Sequence, residues 1–145
     1  MILVVDASVA IKWFVREALH AEALRLLDHA DSLHGPDLLA VEVTNVAWRK
    51  AARGEITRTQ AAEIAKAIRQ GTPLLYPSAP FIERALDLAF RLSHPVYDCL
   101  YLACAEAIDG TLITADIKFC ARAQKAGFAA RIESLCLGHP PPVTR

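Results

Sequence analysis

The chain has 145 residues, 54% of them hydrophobic and 22% charged, with a formal net charge of zero. That length suits one domain with a sizeable core, and the composition excludes a disordered chain. The neutral balance excludes nucleic-acid binding by a uniformly basic surface, so any RNA or DNA contact must come from a local patch or a bound cation.

In chain order, "ILVV" (2–5) reads as a short buried strand ending at Asp6. "ASVAIKWF" follows with helical spacing at Val9, Ile11, Trp13 and Phe14. "EALHAEALRLLDHA" (17–30) predicts an amphipathic helix, and "SLHG" (32–35) a second strand. Pro36 and Asp37 start a helix that runs to Gly54, and Thr57 caps another that stops at Gly71. "PLLYP" (73–77) is a third strand, and Ser78 caps a helix through His94. "VYDCLYLACAEA" (96–107) is a buried helix with one acid, Asp98, at its mouth. "TLIT" (111–114), a helix over 117–127 and a last strand within 128–134 complete the order.

Strands alternating with helices predict an α/β fold, a mostly parallel central sheet with helices on both faces. The domain spans 1–137, and "GHPPPVTR" (138–145) is expected to be a flexible tail, because three consecutive prolines force extended backbone. The start lacks the basic region of a secretory signal and no apolar run is long enough to cross a bilayer, so a cytoplasmic protein is expected. Cys99, Cys104, Cys120 and Cys136 form no C-x-x-C pair and read as buried reduced thiols.

Four acids stand out. Asp6 ends the first strand, and Asp116 follows the fourth by two residues. The carboxyl edge of strands is where open α/β sheets bind ligands. Glu42 lies four residues from both Leu38 and Val46, on or beside its helix's apolar stripe. Asp98 begins a buried helix. The plainer readings are that Asp6, Asp98 and Asp116 cap helices, and that Glu42 reaches water or pairs with Arg49 or Lys50. Gathered together, four carboxylates repel one another unless a cation neutralises them. An all-oxygen set suits Mg²⁺, with Mn²⁺ as alternative, rather than zinc. Ser8 and Thr114 could ligate or hold the carboxylates by hydrogen bonds from behind. Such a site suits phosphodiester hydrolysis.

"ILVVDASVAIKWF", "LLAVEVTNVAWRK", "HPVYDCLYLACAE" and "TLITADIKF" resemble the four acidic motifs of the PIN domain, in that family's order, with closest likeness to the VapC toxins of toxin–antitoxin pairs. The resemblance implies a three-layer α/β/α domain and a magnesium-dependent endoribonuclease. It makes Asp6, Glu42, Asp98 and Asp116 the catalytic and metal-binding acids. Asp6 and Asp98 are then direct ligands, while Glu42 and Asp116 act through water, a second ion or the nucleophile's orientation. It further implies an RNA substrate, a small VapB-type antitoxin whose tail enters the acidic groove, and a homodimer. Lys12, Arg16, Arg49 and Lys118 are candidate phosphate contacts, with Lys50, Arg53 and Arg122 also considered. For each of these, a solvated helix face is the plainer reading.

The competitors fit less well. A haloacid-dehalogenase-type phosphatase needs a second Asp where Ser8 stands, and a receiver domain needs a phosphoacceptor Asp that "PLLYP" does not offer. An RNA-processing nuclease that is not a toxin shares the same site. A non-catalytic RNA- or antitoxin-binding module conflicts with the intact acids.

Overall fold

A computed structural model describes residues 1–136. Its five-stranded sheet has the order β3-β2-β1-β4-β5. The strands are β1 (Leu3–Val5), β2 (Leu33–Pro36), β3 (Leu74–Tyr76), β4 (Thr111–Thr114) and β5 (Ile132–Ser134), and every neighbouring pair is parallel. The proline tail and Leu137, at the predicted domain boundary, lie outside the described residues.

Successive strand residues point to opposite faces. Leu3, Val4 and Val5 are all buried, so both faces of β1 are covered, as the α/β reading requires. The helices that do this are α1 (Ala7–Ala10, extended by a 3₁₀ turn to Trp13), α2 (His20–Leu26), α3 (Leu38–Ala52), α4 (Arg58–Ala67), α5 (Ile82–Leu92), α6 (Val96–Ala107) and α7 (Ile117–Ala123). No helix among the described residues is long and apolar enough to cross a membrane.

The sheet matters for function because of its order. From β1 the chain steps outward to β2 and β3, then returns to lay β4 on the other side of β1. The strand order therefore reverses between β1 and β4, and a crevice opens at their carboxyl ends. At the opposite edge Gly110 allows a close approach, since a Cβ there would lie 2.9 Å from Ile2 Cγ2 and 3.0 Å from Ile2 O. Helix α6 packs against β1, β2, β4 and α5, and Cys99 through Ala105 are all buried. A helix apolar all round belongs inside a protein. Burying Leu100 and Leu102 stabilises by roughly 2 kcal/mol each, making α6 a rigid mount.

Several local expectations change. The helix predicted over 17–30 is α2 alone, followed by a 3₁₀ segment over Leu27–Ser32. Glu17 is drawn out of any helix because its carboxylate sits 3.0 Å from both Lys12 Nζ and Lys50 Nζ. Leu19 then turns through φ 67° before the helix begins. Ser78 does not cap its own helix: its hydroxyl donates to Asp37 Oδ1 at 2.6 Å and accepts from Leu38 N at 3.1 Å, serving the start of α3 instead. Asp37 consequently makes no cap bond to α3, and Pro36 closes β2 rather than opening the helix. The last strand shrinks to β5, because the chain after α7 continues in a wide turn with Gly127 at φ 99°. Thr57 caps α4 as expected, with Gln60 completing the reciprocal pair. Cys99, Cys104 and Cys120 are buried free thiols, whereas Cys136 is exposed, because it lies beyond the end of β5. Burial pushes the Cys99 thiol up to about 11 and Cys104 up to about 12, which suits inert packing.

Candidate active site

At the β1–β4 switch, Asp6 leaves the end of β1 and Asp116 follows β4. Asp6 Oδ1 accepts from Val9 N at 3.2 Å and from Ser8 Oγ at 2.5 Å. Asp116 Oδ1 accepts from Phe119 N at 3.0 Å. Both aspartates therefore cap helices, α1 and α7, and both also line one cleft. Capping and cleft placement are the same geometry, because each helix starts where its strand ends. Ser8 ties the two strand ends together: its hydroxyl also accepts from Ala115 N at 2.9 Å and lies 3.5 Å from Thr114 Oγ1. The fully buried Thr114 hydroxyl accepts from Asp116 N at 3.1 Å.

Asp98 is not a helix cap. Pro95 holds the cap position of α6, so Asp98 falls in the first turn and its side chain bonds no backbone amide of the helix. Its Oδ2 instead meets His94 Nε2 at 2.6 Å. Glu42 reaches the cleft from α3, where the buried Tyr101 hydroxyl donates to its Oε1 at 2.6 Å. It pairs with neither Arg49 nor Lys50, because Lys50 is engaged by Glu17 and Glu55.

The result is a cleft of about 400 Å³ lined by all four acids together with Ser8, Lys12, Glu17, Arg49 and Tyr101. Among the other phosphate candidates, Arg16 borders a neighbouring cavity, while Lys118 is exposed on α7. Lys12 is buried and its amine is held by Glu17.

The electrostatics are those of crowded carboxylates. Burial lifts Asp6 to about 6, against hydrogen bonds from Ser8 and Thr114 that lower it, and the Asp98 charge raises it further. Burial and then the Asp98 charge likewise hold Glu42 above the usual carboxylate range, opposed by the Tyr101 hydroxyl. Burial first, and Glu42 second, push the Tyr101 phenol far up, so it stays a donor. Among the described residues no lysine or arginine forms an ion pair with any of the four acids. His94, Asp98 and Asp116 also bring one potential ligand atom each to within 4.8 Å of one another. Negative charge gathered with no ion-paired lysine or arginine among the described residues, presented as oxygen, fits a hard divalent cation.

Sequence reasoning missed His94, Tyr101 and Glu17. Tyr101 had a usable signal: it lies three residues after Asp98 on one helix, hence on the same face. His94 stands four residues before Asp98, a spacing that could have flagged it, although it precedes Pro95 and lies outside α6.

An all-parallel sheet with an acidic cleft at its switch point defines an α/β ligand-binding or catalytic domain. The comparisons narrow this. The PIN domain family model matches residues 3–125. Ribonuclease VapC3 of Pyrobaculum aerophilum is 36% identical over 118 residues, covering 80% of this chain and 90% of that one. Ribonuclease VapC1 of Mycobacterium tuberculosis is 32% identical over 120 residues, covering 81% and 88%. The crystal structure of PAE2754 from Pyrobaculum aerophilum superposes with a TM-score of 0.68 at 23% identity, covering 84% of this chain and 86% of that chain, and so shares the fold. The chain belongs to the PIN-domain family.

Proposed function

We propose that this chain is a divalent-metal-dependent endoribonuclease, the toxin of a VapBC-type toxin–antitoxin pair, with Mg²⁺ as its ion. One observation carries the reading: four carboxylates from four separate elements line a single cleft, and among the described residues no arginine or lysine is bonded to them. The ribonuclease names of its relatives supply the substrate class.

In this reading Asp6 and Asp98 would hold the ion directly, and Glu42 and Asp116 would act beside them. The ion supplies Lewis-acid chemistry, acidifying water and neutralising phosphate charge. The protein's own groups set the geometry. Ser8 and Val9 N fix Asp6, Phe119 N fixes Asp116, and Tyr101 fixes Glu42. Glu42 in carboxylate form can take a proton from an attacking water. Its upward shift brings it nearer the pH at which such a base works well. Arg49, on the cleft wall, is placed to meet the RNA backbone.

An antitoxin would occupy the same cleft, since an arginine presented by a partner would form charge-assisted pairs with these acids. Pairing with a second copy is supported by an exposed apolar face that includes Val41, Ile82 and Tyr97. Sedimentation equilibrium reads that step, and a monomer at tens of micromolar would count against it. The reading also places the protein in the cytoplasm.

The test is cleavage of a panel of structured RNAs by purified protein. Activity should require Mg²⁺ or Mn²⁺ and vanish in EDTA. Cleavage that persists in EDTA would refute the metal-dependent mechanism.

Tyr101→Phe supplies a second expectation. Losing the phenol removes the group that lowers Glu42, so the Glu42 carboxyl should titrate at higher pH. The acidic limb of the pH–rate profile should move the same way. Carboxyl ¹³C shifts followed against pH check it, and an unmoved midpoint would show that the phenol does not tune the acid.

A further inference from the structure

We propose that His94 is a positioning residue: oriented by Arg122, it fixes the Asp98 carboxylate for cation binding without itself being a ligand. This rests on the metal-dependent reading above, and adds to it a residue that lies outside the four acids.

The geometry settles where the ring's proton lies. Arg122 can only donate. Its Nη1 carries two hydrogens, and its two partners are Ser93 O at 2.9 Å and His94 Nδ1 at 3.2 Å. Nδ1 must therefore accept, because a hydrogen there would face the guanidinium's own N–H. The ring hydrogen then sits on Nε2 and donates to Asp98 Oδ2, 2.6 Å away. Both nitrogens are spent, one as acceptor and one as donor, so neither has a lone pair free for a metal. His94 thus leaves the ligand set suggested by its nearness to Asp98 and Asp116. Asp98, which lines the cleft, keeps Oδ1 without a hydrogen bond among the described residues.

The rest of the surroundings hold the ring still. The imidazole stacks on Phe119 with centroids 4.5 Å apart and planes 20° apart. Only 9% of its side chain is exposed, against 32% for Asp98. Phe119 is itself fully buried, and its amide caps onto Asp116. One residue of α7 therefore braces the histidine with its ring and a second acid with its backbone. Asp98 would otherwise be a half-exposed carboxylate with several open rotamers. Outer partners of this kind preset a ligand's direction, and their loss typically lowers metal affinity about 10–100-fold.

The experiment compares wild type with His94→Phe, His94→Gln, Arg122→Met and Asp98→Asn. Mn²⁺ binding is measured by calorimetry without RNA, and RNA cleavage is measured across Mn²⁺ concentrations. His94→Phe keeps the stack but has no donor. It should bind Mn²⁺ about 10–100-fold more weakly and regain cleavage as Mn²⁺ is raised, with KM for RNA unchanged. His94→Gln restores an N–H toward Asp98 and should recover most of the affinity. In ¹⁵N spectra the wild-type ring should carry its proton on Nε2, and Arg122→Met should admit the other tautomer. The proposal is overturned if His94→Phe binds Mn²⁺ like wild type, if His94→Gln binds as poorly as His94→Phe, or if the wild-type proton lies on Nδ1. If wild type binds no Mn²⁺, or Asp98→Asn binds it undiminished, the metal-site reading falls and takes this one with it. Intact wild-type binding with an indifferent His94→Phe defeats the positioning role alone.

Discussion

Asp6→Asn is expected to make the metal-free protein more stable at neutral pH while abolishing RNA cleavage. The folded-state pKa of about 6 lies above the ordinary 3.8, chiefly because the carboxyl is buried. The folded chain therefore holds this proton more tightly than the unfolded chain does. Stability from this group is greatest below pH 4, declines as pH climbs from about 4 to about 6, and stays low above that. The gap of about two pH units corresponds to about 3 kcal/mol. Asparagine removes the charge and still accepts from Val9 N and Ser8 Oγ, but its amide hydrogens need partners, so the net gain should be about 1–2 kcal/mol. Thermal unfolding in EDTA from pH 4 to pH 8 reads the effect. Wild type should lose more stability across that window than the variant, whose remaining loss comes from the raised Glu42 carboxyl. Added Mg²⁺ or Mn²⁺ should raise the wild-type Tm and leave the variant's nearly unmoved. A variant less stable than wild type at pH 8 would mean that the buried charge is favourable as it stands.

On the proposed metal-dependent reading, Asp98→Asn should lower kcat by at least about a hundredfold, because losing a direct ligand would forfeit several kcal/mol of transition-state charge stabilisation. The fold should hardly notice. Pro95 occupies the cap position of α6, so the helix start does not depend on this side chain. The asparagine Oδ1 can still accept from His94, and the volume is nearly unchanged. The substitution also removes a like charge that raises both Asp6 and Glu42. Both should then titrate lower, and the metal-free variant should lose less stability than wild type between pH 4 and pH 7. Cleavage kinetics beside circular dichroism and carboxyl ¹³C titrations test this; wild-type turnover would remove Asp98 from the chemistry.

The parts of the site legible in the sequence share a physical reason. Asp6 and Asp116 stand just past apolar runs too short to be anything but strands, and strand ends in a parallel sheet face one crevice. Glu42 was visible as a charge on an apolar stripe. The alternation of strand and helix carried the parallel sheet, but local pattern alone named no strand order. What failed depended on partners distant in the chain. The helix predicted from residue 17 ignores Lys50, which binds Glu17 from α3. Ser78 looked like a cap for its own helix until Asp37, forty-one positions earlier, claimed its hydroxyl. His94 makes sense only with Arg122, twenty-eight positions later. Local pattern encodes which face a residue takes, whereas the loops' hydrogen bonds are chosen after the layers have packed.

The β1–β4 pairing has a consequence in time. Leu3 pairs with Thr111, so the central seam of the sheet closes across more than a hundred residues of chain. Joining ends so far apart carries a loop-closure cost and slows folding relative to local contacts. During synthesis at about 5–20 residues per second, roughly 5–20 s separate the two strands' emergence. For those seconds the growing chain already contains Asp6, Glu42 and then Asp98, yet Asp6 has no β4 beside it and Asp116 does not exist. The four-acid cleft can therefore assemble only after β4 and Asp116 have emerged, and no truncated product that stops short of Asp116 can form it.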